Sequence, residues 1–65
     1  RAMNVRVDRC FKGNNNFVFQ LIFKVDGRYY RESVRGECWT RSIAGEAKDI
    51  IASNYGVRRE NIRFV

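Results

Sequence analysis

Phe17-Val-Phe-Gln-Leu-Ile-Phe-Lys-Val25, followed by Asp26-Gly27 and then by Arg28-Tyr-Tyr-Arg-Glu-Ser-Val34, is the stretch on which the fold turns. Phe17, Phe19, Leu21, Phe23 and Val25 occupy every second position, so in an extended chain all five side chains leave on one side. Asp26-Gly27 suits a two-residue type I′ turn, whose two central positions both need positive φ. The reading is a β-hairpin with one buried side.

A two-residue turn fixes which residues face each other. Val25 is set opposite Arg28, Lys24 opposite Tyr29, Phe23 opposite Tyr30, Ile22 opposite Arg31, Leu21 opposite Glu32, Gln20 opposite Ser33 and Phe19 opposite Val34. Facing residues share a side of the sheet. One side then holds Phe19, Leu21, Phe23, Val25, Tyr30 and Val34, with Glu32 as a misfit. The other holds Gln20, Ile22, Lys24, Tyr29, Arg31, Ser33 and Arg35, a basic surface with an aromatic ring set in it. A bulge would shift part of this register.

Working outward, Met3, Val5, Val7 and Phe11 alternate with Asn4, Arg6, Asp8, Cys10 and Lys12, and only Arg9 breaks the pattern. This is a first strand whose inner side extends the core and whose outer side adds Arg6 and Lys12 to the basic face. Lys12-Gly13-Asn14-Asn15-Asn16 is a turn cluster that joins it to the hairpin as an antiparallel neighbour.

Beyond Arg35 the period changes. Ile43, Ala47, Ile50, Ile51 and either Asn54 or Tyr55 form one stripe of a helix running from Thr40 to Tyr55. Thr40 or Ser42 can cap its start, Glu46 and Asp49 are expected toward the positive end of its dipole, and Gly56 stands where a left-handed stop is wanted. Gly45 costs about 1 kcal/mol relative to Ala inside a helix, which points to a close backbone approach or a tolerated weakness. Trp39 is read as a plug between sheet and helix. Ile62 and Phe64 alternate with Arg63 in a last short strand.

The order is therefore β-β-β-α-β. Right-handed crossover between parallel strands puts the last strand beside the first, in the spatial order 3-2-1-4. The expected fold is a single α+β domain, residues 1–65, with a mostly antiparallel sheet and one helix packed on one face. A short strand at each edge leaves monomer and edge-paired dimer both open.

Sixty-five residues with 14% aromatic content make one small folded domain. Thirteen Lys and Arg against seven Asp and Glu give +6, and ten of the thirteen are Arg. Arginine's planar fork suits phosphate, guanine and carboxylate, so the balance favours a polyanionic partner or an acidic protein; plain solubility is the alternative. With two cysteines and no histidine, a structural zinc site and a His-activated nucleophile are not expected. The carboxylates are scattered, and an enzyme is not expected. No cofactor is implied. Cys10 and Cys38 are read as free thiols of a reducing compartment, and the protein as cytoplasmic. No apolar run reaches membrane-spanning length and no signal-peptide pattern opens the chain. Arg1-Ala2 ahead of Met3 reads as vector-derived.

The basic side of the sheet is the candidate site. Arg6, Lys12, Lys24, Tyr29, Arg31, Arg35 and Arg63 are the residues expected to contact nucleic acid, with Arg and Lys for phosphates and base edges and Tyr29 for stacking. Phe17-Val-Phe-Gln-Leu-Ile-Phe-Lys-Val-Asp-Gly-Arg28, followed by a helix containing Glu46-Ala47-Lys48, resembles the β-β-β-α half of double-stranded-RNA-binding domains. It also resembles the three-stranded arm-binding domains at the N-termini of phage and transposon integrases. The resemblance covers Phe17 to Tyr55 and implies nucleic-acid binding, DNA included, in a phage or mobile-element setting. Ala47 and Lys48 match the RNA-binding pattern, whereas Ala44 and Gly45 stand where its two lysines would be; no base-reading residue is carried over. The chain is similar as well to small phage-encoded inhibitors, which implies the alternative: a protein-interaction module docking its basic face on an acidic host protein.

Overall fold

The computed structural model describes residues 2–11, 13 and 16–65. Strand β1 (Met3–Phe11), β2 (Phe17–Val25) and β3 (Arg28–Gly36) precede a helix α1 (Arg41–Tyr55), a 3-10 turn (Arg59–Asn61) and strand β4 (Ile62–Phe64). They form one mixed sheet in the order β3-β2-β1-β4. β1–β2 and β2–β3 are antiparallel, and β4 runs parallel to β1. The α+β class, the strand order and the covering helix all agree with the sequence reading.

The hairpin register is the one the turn requires, unbroken from Val25 opposite Arg28 to Phe17 opposite Gly36, so no bulge re-aims its side chains. Asp26 and Gly27 sit at φ 50° and 83°, the left-handed pair of a type I′ turn. β1 joins with Arg6 opposite Ile22 through Phe11 opposite Phe17. Alternation then carries Val5, Phe19, Leu21, Phe23, Val34 and Ile62 to one side, where Ala47 and Ile51 of α1 close over them. All eight are buried.

The helix decides two open alternatives and departs from expectation in one place. Thr40 is its cap, with its Oγ1 accepting the Ile43 N–H at 3.1 Å, and Ser42 lies inside the first turn. Because α1 starts at Arg41, Glu46 and Asp49 lie beyond the first turn, which contains no acidic residue; the expected dipole contribution is absent. The stripe closes on Tyr55, which is half-buried, while Asn54 is exposed. Gly56, at φ 67°, ends the helix and donates its N–H to the Ala52 carbonyl at 3.1 Å.

Two sequence anomalies find their explanations in packing. Glu32 lies on the helix side as the register demands, and the Tyr55 hydroxyl donates to its Oε2 at 2.6 Å. Gly45 faces Arg59: a Cβ there would come within 3.1 Å of the guanidinium Nη2, whose Nε donates to Asp49 at 2.7 Å. The close approach comes from a side chain, not from a neighbouring backbone. Trp39 is the expected plug, edge-on to Phe19 at 5.2 Å and to Phe64 at 5.1 Å between ring centroids.

One sheet edge differs from the expected short strand. β4 is three residues long, but β3 is a full nine and carries Arg28, Arg31 and Arg35 along its free edge. Charged residues of this kind discourage edge-to-edge pairing. No helix among the described residues is long and apolar enough to cross a membrane.

Candidate nucleic-acid interface

The side of the sheet away from α1 is assembled from even-numbered residues of β1 and β2 and odd-numbered residues of β3 and β4. Pairing places them in rows. Lys24 faces Tyr29; Arg6, Ile22 and Arg31 form one row; Asp8, Gln20 and Ser33 the next; Cys10, Val18 and Arg35 the last. Arg63 of β4 lies beside Asn4. Neighbouring strands are about 4.8 Å apart, so Arg6 and Arg31, two strands from each other, flank Ile22 at a backbone separation of about 10 Å.

Six of the seven residues expected at the site, Arg6, Lys24, Tyr29, Arg31, Arg35 and Arg63, share this face. Lys12 lies outside the described residues. Arg6 donates to Asp8 at 3.1 Å, an exposed ion pair of little energetic weight. Lys24 holds its Nζ 5.2 Å from the centre of the Tyr29 ring. Among the described residues no ion pair engages Lys24, Arg31, Arg35 or Arg63, and Arg31 and Arg35 do not pair with Glu37.

Charge is divided unequally between the two sides. Among the described residues, the open face carries five cations and one carboxylate, Asp8. On the helix side, the turns and the connections, six cations (Arg9, Arg28, Arg41, Lys48, Arg58 and Arg59) meet six carboxylates (Asp26, Glu32, Glu37, Glu46, Asp49 and Glu60). Several of those cations are also engaged: Arg59 with Asp49, Arg58 with Glu60 at 4.0 Å, Arg9 over the Phe17 ring at 4.5 Å and Lys48 near the Phe64 ring. The net charge of the described chain therefore belongs to the open face.

One corner of that face is concave. Asn4, Arg6, Ile22, Lys24, Tyr29 and Val65 border an open cleft of about 450 Å³. Tyr29 is 73% exposed and Val65 68%, the two large hydrophobic residues most open to solvent among the described residues. Val65 is held by its N–H, which donates to the Val5 carbonyl at 2.9 Å. Sequence reasoning did not place Val65 at the site, although the alternation of Arg63, Phe64 and Val65 contains the signal. Its position depends on β4 docking beside β1.

Both cysteines are free, Cys10 half-buried on the open face and Cys38 exposed before the helix. The titration that stands out lies on the other side: the hydrogen bond to Glu32, reinforced by burial and by the carboxylate's charge, pushes the Tyr55 phenol up to about 12.

No family model matches the chain, and searches of curated proteins and of solved structures return no match. The resemblances to RNA-binding domains, integrase arm-binding domains and phage inhibitors thus remain expectations drawn from the sequence.

Proposed function

We propose that this protein binds nucleic acid through the open face of its sheet, with Arg6, Lys24, Arg31, Arg35 and Arg63 meeting phosphates and base edges and Tyr29 meeting a base. The observation that carries the reading is the segregation of charge among the described residues: five cations with one carboxylate on a face that no described element covers, against a balanced helix side with its turns and connections. A face of this kind concentrates a polyanion and releases its counterions on contact. Among the described residues, four of the five cations have no ion pair to break before they bind.

The test is a titration with DNA and RNA across a range of salt concentrations, followed by backbone amide shifts. Binding through this face moves the amides of Arg6, Lys24, Tyr29, Arg31, Arg35 and Arg63 together. It also makes log K fall with log salt at a slope of up to about −4, as expected when close to five phosphates are neutralised. Absence of binding at low salt removes the nucleic-acid reading and assigns the basic face to an acidic protein.

A further inference from the structure

Resting on that nucleic-acid reading, we infer that the open face takes unpaired strands rather than duplex, with one base stacked on Tyr29 in the cleft beside Ile22 and Val65. Three observations converge on this ligand. Tyr29 projects its ring from a cationic surface at 73% exposure, and Lys24 lies 5.2 Å from the ring centre. Apolar side chains, Ile22 and Val65, border the same cleft, and Asn4 supplies a polar edge to it. The cations are spread over all four strands: Arg63 on β4, Arg6 on β1, Lys24 on β2, and Arg31 and Arg35 on β3.

The chemistry of the two ligand forms separates them. In a duplex the flat faces of the bases are stacked on one another, and only their edges reach the grooves. An exposed tyrosine and its apolar neighbours then have no base face to cover. Width also counts. Four strands at about 4.8 Å spacing set the outermost backbones about 14 Å apart before side chains are added, wider than the roughly 12 Å major groove. The face as a whole cannot enter that groove. A single strand can lie across it, with its backbone on the arginines and a base on the ring, the combination by which proteins hold unpaired nucleic acid.

The experiment compares oligonucleotides of about ten nucleotides, single-stranded DNA, single-stranded RNA and the duplexes of each, by fluorescence anisotropy at about 50 mM salt. The expected result is that at least one single strand binds about tenfold more tightly than its duplex, and the DNA and RNA arms identify which sugar is preferred. Tyr29→Ala is expected to weaken single-strand binding by about tenfold and duplex binding by less than about twofold, while Tyr29→Phe keeps the single-strand affinity. Duplex binding equal to or tighter than single-strand binding overturns the inference and leaves the nucleic-acid reading standing. So does an equal loss on both forms from Tyr29→Ala. Binding of neither form at low salt removes both.

Discussion

Among the described residues, the helix side of the molecule with its turns and connections holds six cations and six carboxylates, whereas the open side of the sheet holds five cations and one carboxylate. They differ equally in apolar content. Phe19, Leu21 and Phe23 of β2 are buried against α1, whereas Gln20, Ile22 and Lys24 between them look outward. A single strand thus supplies both faces through a period of two. The side that packs keeps its charges out of the core: no described charged residue is buried, and its cations and carboxylates balance in number. The other side has no packing to protect and keeps an excess of one sign. Such an excess costs self-repulsion within the fold, a cost that a polyanionic partner relieves.

The sharpest way to break this comparison uses neighbours on β2. Leu21→Ala removes a fully buried side chain and is expected to cost about 3 kcal/mol in chemical denaturation, enough to unfold much of a domain this small. Ile22→Ala, one residue along and on the open side, is expected to cost about 1 kcal/mol or less. Similar losses at the two positions would mean that the faces are not distinct in packing.

The next contrast is in charge. Arg31→Ala with Arg35→Ala should lower nucleic-acid affinity by about a hundredfold and flatten the salt slope by about two, since two phosphate contacts are lost. Arg41→Ala with Arg58→Ala removes the same charge from the helix side and should change affinity by less than about threefold at moderate salt, through long-range attraction alone. Equal effects from the two pairs would reduce the interface to net charge.

A third test lies wholly on the helix side. Tyr55 donates to Glu32 with its neutral phenol, so its pKa is higher in the folded protein, at about 12, than in the unfolded chain. The folded state therefore holds this proton more tightly. The resulting stability is complete below the ordinary phenol range near pH 10 and is lost as pH rises toward 12. Thermal melts between pH 9 and 12 are expected to show this alkaline loss in the native protein. In Tyr55→Phe the Tyr55 contribution should disappear, the melting temperature near neutral pH should be a few degrees lower, and binding should be unchanged. The smallest effect is expected at Gly45. Arg59 is exposed and its bond to the Gly45 carbonyl is long, at 3.5 Å, so the guanidinium can yield to a methyl group. Gly45→Ala should then raise stability by up to about 1 kcal/mol through helix propensity, measured by denaturant midpoint.

The hairpin, its register, the helix stripe and the strand order were legible because each follows from a local rule: a period of two, a turn that needs positive φ, a period of 3.6, and the right-handedness of crossovers. The composition of the open face followed from the same register, and Arg6, Lys24, Tyr29, Arg31, Arg35 and Arg63 could be grouped before any coordinates were known. Less legible was the fate of residues whose partners lie far along the chain. Glu32 looked like an error of alternation until Tyr55, 23 residues later, was seen to donate to it. Gly45 gave no sign in the sequence of its neighbour Arg59, 14 residues on, whose guanidinium lies beside it.

Backbone sterics and side-chain period act within a few residues, so they can be read from the chain itself and are enough to specify elements, register and the identity of each face. How α1 seats on the sheet depends on the simultaneous packing of Ala47, Ile51 and Tyr55, and no local rule contains it. That packing brings Tyr55 to Glu32, and Trp39, just ahead of the helix, lies between Phe19 and Phe64. The docking of β4 beside β1 likewise sets Val65 on the border of the cleft that Tyr29 lines from the opposite edge of the sheet. Alternation accounts for the basic face, and long-range packing accounts for the cleft at its corner.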